Sequence, residues 1–409
     1  MSAAQSTSWR RRLGLERGAG ALAAGLFVYG FGEELWFRYL PAFLRFLGAS
    51  AFTVGAFGTL KDLLDAAYAY PGGVLTDRLG SRRALLLFGA LTTAGFVLYL
   101  AFPSIPMLFA GLLLVMAWQS LGLPATFTLL REEMTGDSRL VGFTVQSVVK
   151  RLPIVLAPPL GGYLIGRFGM AAGMRFGFSL SIVLSILMLL GLWRAFRRRD
   201  VPVDPADPGH PDQPRSKVRL HPVLVRLLIA DCLIRLCEGL PEVFLVVWAL
   251  EIAHLSAARF GVLTAILMIT AILSYVPAAI LAGRAEKKPF VVLTYVFFTL
   301  FPLGVVFAHS FAALAGTYVL GGLREIGEPA RKSLIVDLAI SDPGRTVGLY
   351  YTIRGFAVAG AAAIGGALWT IRPELTFYVA GALGMAGTLW AALMLPSHPT
   401  VRKDHKETP

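Results

Sequence analysis

Apolar positions dominate this chain in runs of about twenty residues, each closed by a short stretch carrying charge, proline or glycine. A helix that crosses a bilayer needs about 20 predominantly apolar residues. On that length scale the pattern predicts twelve spans, at roughly 19–43, 51–71, 84–102, 106–130, 141–165 and 171–193, then 223–250, 257–281, 290–308, 311–334, 346–370 and 375–395. The expectation is an all-α integral membrane protein of twelve transmembrane helices.

Composition agrees. Of 409 residues 56% are apolar and 15% are charged, against about 25% charged in a soluble globular chain. The formal net charge of +13 would point to nucleic acid in a soluble protein, but here its distribution carries topology instead. With the N-terminus inside, Arg10, Arg11, Arg12, Arg17, the Arg78/Arg82/Arg83 group, Arg194–Arg199, Arg284, Lys287, Lys288, Arg402, Lys403 and Lys406 fall on the cytoplasmic side. Arg45, Arg167, Arg175, Arg259 and Arg372 lie toward the other side. Positive loop charge stays inside, so both termini are expected to be cytoplasmic in an inner (plasma) membrane. No nucleic-acid partner is expected.

Other chemistries find little support. Cys232 and Cys237, the two cysteines, sit in one apolar run and make neither a disulfide framework nor a zinc site, and the six histidines have no ligand spacing. No phosphate-binding G-x-x-x-x-G-K-[ST] loop occurs. The apolar run after Arg17 is too long for a cleaved signal. No cofactor, metal or enzymatic constellation is expected.

The stretch from Asp200 to Arg219, with Pro202, Pro205, Pro208, Pro211 and Pro214, reads as a solvated linker. The expected organisation is therefore a cytoplasmic N-terminus (1–18), a six-helix bundle (19–193), a cytoplasmic linker (194–222), a second six-helix bundle (223–395) and a cytoplasmic tail (396–409). The two bundles look like copies. A shift of 206 places Ser50 on Ser256, Gly55 on Gly261, Pro71 on Pro277, Arg78 on Arg284 and Arg82 on Lys288. A shift of 205 places Gly122-Leu123-Pro124-Ala125 on Gly327-Glu328-Pro329-Ala330, and 204 places Lys150 on Arg354 and Gly161-Gly162 on Gly365-Gly366.

Between the second and third spans lies Gly72-Gly73-Val74-Leu75-Thr76-Asp77-Arg78-Leu79-Gly80-Ser81-Arg82-Arg83, expected as a tight charged turn between antiparallel neighbours. Its G-x-L-x-D-R-x-G-x-R-R pattern resembles the signature loop of the major facilitator superfamily. That resemblance implies two pseudo-symmetric six-helix bundles, alternating access and a site between the halves near the midplane. It also implies that helices 1, 4, 7 and 10 line the cavity. Gly73, Asp77, Arg78, Gly80, Arg82 and Arg83 would form a cytoplasmic gate, with Asp77 meeting the start of helix 11, where the helix dipole favours an anion. The second-half copy, Ala282-Gly283-Arg284-Ala285-Glu286-Lys287-Lys288, has Gly283 in place of the aspartate, so the gate is expected to be lopsided.

Charge inside the spans marks the candidate site, because a charge at mid-bilayer costs about 2.5–3.5 kcal/mol on insertion scales. Asp231, Arg235, Glu238 and Glu242 share one face of helix 7, and Arg324, Glu328 and Arg331 share one of helix 10, beside Glu325 and Lys332. Helix 1 holds Glu33, Glu34 and Arg38, and helix 2 holds Lys61, Asp62 and Asp65. Interhelical salt bridges would account for many of these, Glu34–Arg38 and Lys61–Asp65 above all. Burial favours the neutral form of a carboxylate, which suits a proton carrier. Glu33, Asp62, Glu238, Glu325 and Glu328 are the proton-coupling candidates, lacking an evident partner in their own helix or competing for one. Arg38, Lys150, Arg151, Arg235, Arg324 and Arg354 are candidate substrate contacts or counter-ions.

Two motifs complete the family comparison. Ala157-Pro158-Pro159-Leu160-Gly161-Gly162 resembles the end of the antiporter motif of drug exporters, with Pro153 where an earlier glycine would stand. Trp118-Gln119-Ser120-Leu121-Gly122 sits where many proton-coupled members have R-x-x-Q-G, with Trp118 replacing the arginine. Trp118 and Gln119 join the candidate list, while the arginine's coupling role does not transfer. The resulting expectation is a monomeric carrier in the lipid bilayer, driven by an ion gradient, protons foremost, exporting a small organic compound or drug. Uptake of an anionic metabolite is the alternative within this class. A non-transporting sensor or lipid-handling protein on the same scaffold is the alternative outside it.

Overall fold

A computed structural model describes residues 17–122, 125–126, 129, 138–197, 220–282, 286–339 and 343–396. Arg10, Arg11, Arg12, Arg198, Arg199, the proline-rich linker, Pro124, Gly283–Ala285 and the C-terminal basic residues lie outside the described residues.

Among those residues the chain is helical throughout, and a helix covers each expected span. In the first half, α1 runs Arg17–Glu34 and resumes as Phe37–Tyr39 and Leu40–Phe46, α2 is Ala51–Leu79, and α3 is Ser81–Ala101. Then α4 is Ile105–Met116 with a π-helical stretch Ala117–Leu121, α5 is Ser138–Phe168, and α6 is Met170–Arg197. In the second half, α7 runs Pro222–Glu242, Phe244–Val247 and Trp248–Ile252, α8 is Ala257–Ala282, and α9 is Lys287–Phe307. Next, α10 comprises Phe311–Leu323 and Glu328–Asp337, α11 comprises Pro343–Val358 and Ala361–Ile371, and α12 is Pro373–Met394. Six helices among the described residues are apolar and long enough to cross a membrane by composition alone, namely those of α3, α6, α8, α9, α11 and α12. The others are interrupted or carry the mid-span charges.

One expectation needs correction. The expected tight turn does not occupy the whole Gly72–Arg83 stretch, because α2 continues eight residues past the predicted end, through Leu79, and α3 starts at Ser81. Thr76 Oγ1 returns a hydrogen bond to Gly72 O at 2.6 Å, supporting the added turns. The reversal is confined to Gly80, whose φ of +78° an L side chain rarely adopts. Apolar periodicity stops where the membrane would end, but helical hydrogen bonding does not.

Glycines set the approach of the halves. A Cβ on Gly162 would run into Ala257 O, and one on Gly261 would meet Pro158 O. The second copy repeats this contact, with Gly366 against Ala51 O and Gly55 against Ala362 O. Small residues let helix backbones touch where apolar side chains gain nothing by leaving lipid. The segment resembling the antiporter motif therefore has a packing reason to carry glycine. Tyr39 fills the same junction, its hydroxyl 2.6 Å from Pro158 O and 3.0 Å from Ala257 O. Arg45 bridges to Glu251 at 3.1 Å, and Ala363 N–H reaches Thr59 Oγ1 at 3.0 Å. These cross-half contacts seal one end of the bundle, where α1 turns into α2 and α7 into α8.

Candidate transport site between the two halves

Helix interruptions place the functional side chains. The π-helical stretch of α4 and the four-residue turn Arg324–Gly327 of α10 fall at equivalent points of the two repeats. Such interruptions present side chains that a regular helix would stack along one stripe.

Glu33, at the end of the first segment of α1, is buried at 3% exposure. Its Oε1 accepts from the Tyr29 hydroxyl at 3.2 Å and its Oε2 from Gln119 Nε2 at 2.5 Å. Among the described residues no cation pairs with it. Gln119 itself is exposed. Trp118 turns inward instead, packing on the Tyr29 ring at 5.4 Å while its backbone N–H donates to Thr92 Oγ1 at 2.9 Å. Glu34 pairs with Arg38 at 2.9 Å, as expected.

The equivalent acid of the second half lives in a different setting. Glu238 follows Glu33 by 205 positions, and Arg324 follows Gln119 by the same 205. Arg324 lies 3.5 Å from Glu238, and Arg235 lies 2.6 Å from it. Arg324 is fixed further by Gly321 O at 2.7 Å and by the Phe298 and Phe301 rings, 4.8 and 4.7 Å from its Cζ. Two turns before Glu238, Asp231 is fully buried. It accepts from Arg331, from Arg354 at 3.2 Å, from Tyr295 at 3.1 Å and from Tyr350 at 2.9 Å. Glu328 ties the network together through Arg331 at 2.7 Å, Lys332 at 3.3 Å and Arg235 at 3.6 Å. Neither Asp231 nor Arg331 was among the candidates, since a stripe of charges on one helix face does not say which of them turn inward.

Between the halves, Arg151 pairs with Glu325 at 3.0 Å and lies over the Tyr275 ring at 5.2 Å. Lys61 bonds Asp62 at 3.1 Å and reaches Glu242 of α7 at 3.7 Å. The expected Lys61–Asp65 pair is not made, because Lys61 serves those two acids and Asp65 accepts from Ser120 Oγ at 2.7 Å. Of the five coupling candidates, Asp62, Glu238, Glu325 and Glu328 thus have cationic partners, and Glu33 has none among the described residues. Lys150 is exposed.

Glu242 lines two cavities, and Lys61 lines the first of them. Toward the sealed end lies an apolar one of ≈ 110 Å³, lined by Phe37, Phe57, Val246, Phe260 and Tyr318, with Arg38 at its wall. On the other side lies a polar one of ≈ 370 Å³ between α2, α7 and α11.

The signature residues sit at the far end of the bundle. Asp77, Arg78 and Arg83 are exposed, and Arg82 lies over the Phe196 ring at 5.8 Å, within the first half. Gly73 is partly buried with open space beside it. Among the described residues Asp77 has no hydrogen bond or ion pair, and residues 340–342, just before α11, lie outside them.

An all-helical bundle with broken helices, buried ion pairs and cavities between two repeats is the architecture of a membrane carrier. The family model of the Major Facilitator Superfamily matches residues 22–256 and again 227–409, and the chain belongs to that family. An uncharacterized MFS-type transporter of Methanocaldococcus jannaschii is 21% identical over 362 residues, 86% of this chain and 88% of that protein. Sugar efflux transporter A of Escherichia coli is 28% identical over 303 residues, 70% of this chain and 73% of that protein. Among solved structures, a POT family transporter in complex with 5-aminolevulinic acid superposes with a TM-score of 0.75 at 16% identity, covering 93% of this chain and 95% of its own. Peptide transporter POT in complex with sulfate gives 0.73 at 18% identity, covering 93% and 94%. The chain is a multi-pass membrane transporter of this fold.

Proposed function

We propose that the protein is a proton-coupled exporter of a small organic molecule, with Glu33 as the group that gains and loses the proton. The observation that carries this is the setting of Glu33, a buried carboxylate held by two neutral donors and no cation among the described residues. An isolated buried charge costs several kcal/mol unless it is paired. Its charge state is therefore coupled to whatever admits or excludes water around the exposed Gln119. Export is supported by the likeness to Sugar efflux transporter A. The arrangement also supports a cytoplasm-facing state of a protein in the inner membrane with both termini inside. The cross-half contacts seal the end holding Arg45–Glu251, while Asp77 and Arg83 are exposed at the other. In this reading 19–193 and 223–395 are the two moving bundles, and Arg151–Glu325 joins them at mid-membrane.

The test uses protein reconstituted in vesicles, with a compound found by thermal-shift screening of cationic, neutral and anionic ligands at two pH values. The Glu33→Gln variant should exchange that compound down its gradient and fail to drive it uphill with an imposed proton gradient. Wild-type uphill transport by Glu33→Gln overturns the assignment.

A further inference from the structure

The polar cavity of ≈ 370 Å³ has two walls of opposite surplus charge. On one, Asp62, Asp65 and Glu242 are served by a single cation, Lys61, which lies within ion-pair distance of Asp62 and Glu242. Asp65 is left with only the neutral Ser120 hydroxyl, at 2.7 Å, among the described residues. On the other wall stand Arg235 and Arg354. Glu238 lines this wall too, and with Asp231 and Glu328 it makes three carboxylates that meet five cations, Arg235, Arg324, Arg331, Lys332 and Arg354. Arg235, besides its carboxylate contacts, keeps a buried Nε with no hydrogen-bond partner. A carboxylate without a cation therefore faces cations in excess of their carboxylates, across one cavity.

The cavity spans the halves, since Asp65 belongs to α2 whereas Arg235 and Arg354 belong to α7 and α11. Its room comes from small residues. A Cβ placed on Gly355 would only just touch Ala66, at 4.0 Å. The volume falls in the ordinary range of small-molecule pockets, about 300–1,000 Å³.

We propose that this cavity binds a small zwitterion, its ammonium group on Asp65 and its anionic group on Arg354. An anion alone would leave Asp65 unmatched when the halves close, and a cation alone would leave the arginine surplus unmatched. A zwitterion satisfies both and draws α2 toward α7 and α11. Uncharged sugars match neither wall. The assignment deepens the transport reading above by naming its substrate class, and it adds Asp65 as a specificity residue.

The purified full chain in detergent is titrated with L-alanyl-L-alanine and with 5-aminopentanoic acid, two zwitterions of different charge separation. Controls are N-acetyl-alanyl-alanine, alanyl-alanine methyl ester and lactose. At least one zwitterion should bind, and its blocked forms should bind about tenfold more weakly, as expected for losing one charge-assisted contact. Asp65→Asn should erase the preference for alanyl-alanine over its N-acetyl form, because only the ammonium contact is removed. Gly355→Leu, which alters no charge, should abolish binding by filling the cavity. The proposal is overturned if neither zwitterion binds, if the blocked dipeptides bind as well as the free one, or if the preference survives in Asp65→Asn. Binding in detergent without movement in vesicles would overturn the transport reading and leave this site standing. Lactose carried in vesicles while both zwitterions fail to bind would do the reverse.

Discussion

Glu33 and Glu238 occupy the same point in two copies of one design, and their surroundings have diverged. Each faces a side chain of the fourth helix of its own half, Gln119 in the first and Arg324 in the second. In the second half the acid is locked between two guanidinium groups, one of them stacked on two phenylalanine rings. In the first it is held by an amide and a phenol. A carboxylate flanked by cations gains little from a proton, whereas one flanked by neutral donors can hold either charge state at moderate cost. A repeat thus supplies two acids, and two differences, Gln119 against Arg324 and Gly30 against Arg235, separate a structural anion from a candidate proton carrier.

Four variants break or sharpen that contrast. Asp231→Asn removes the anion at the centre of the second-half network, leaving Arg331 buried and short of a partner. A loss of about 3–5 kcal/mol, the usual cost of breaking a buried pair, is expected in denaturant unfolding of the detergent-solubilised protein. Arg324→Gln gives this position the first half's side chain. Arg235 still holds Glu238 at 2.6 Å, so the loss of the Arg324 contact should cost about 1 kcal/mol and raise the reactivity of Glu238 toward a carboxyl-modifying carbodiimide. Gln119→Arg performs the opposite exchange. It should leave stability intact while lowering proton-driven transport about tenfold, some 1.4 kcal/mol in coupling, and unchanged coupling in vesicles would count against the account. Arg45→Ala removes an exposed pair with Glu251 and should change stability by less than about 1 kcal/mol. Its effect should appear as faster labelling of a cysteine introduced at Ala49, beside that seal.

The sequence disclosed much of this and stopped at identifiable places. Spans, repeat and family were legible because lipid imposes a length and a hydropathy on every helix, and because the 204–206 offset preserved glycines that set backbone approach. Glu34–Arg38 was legible because i,i+4 spacing determines it. Lys61–Asp65 has the same spacing and failed, since Glu242 arrives from another helix and spacing within one helix carries no information about that. Glu238, Glu325 and Glu328 looked available for the same reason, their partners being partly or wholly contributed from elsewhere in the chain. The Gly72–Gly80 stretch looked like a turn because charge and glycine usually end a helix, yet only Gly80 interrupts it. Asp65 was overlooked because it had been assigned a partner that it does not have.

The central claim is that Glu33, and not its repeat partner Glu238, changes protonation as the transporter works. Infrared difference spectra of the purified protein between acidic and alkaline buffer isolate the carboxylic C=O bands of groups that exchange a proton. The account predicts a band from a buried acid that is lost in Glu33→Gln and kept in Glu238→Gln. A band untouched by Glu33→Gln, or removed by Glu238→Gln instead, would contradict it.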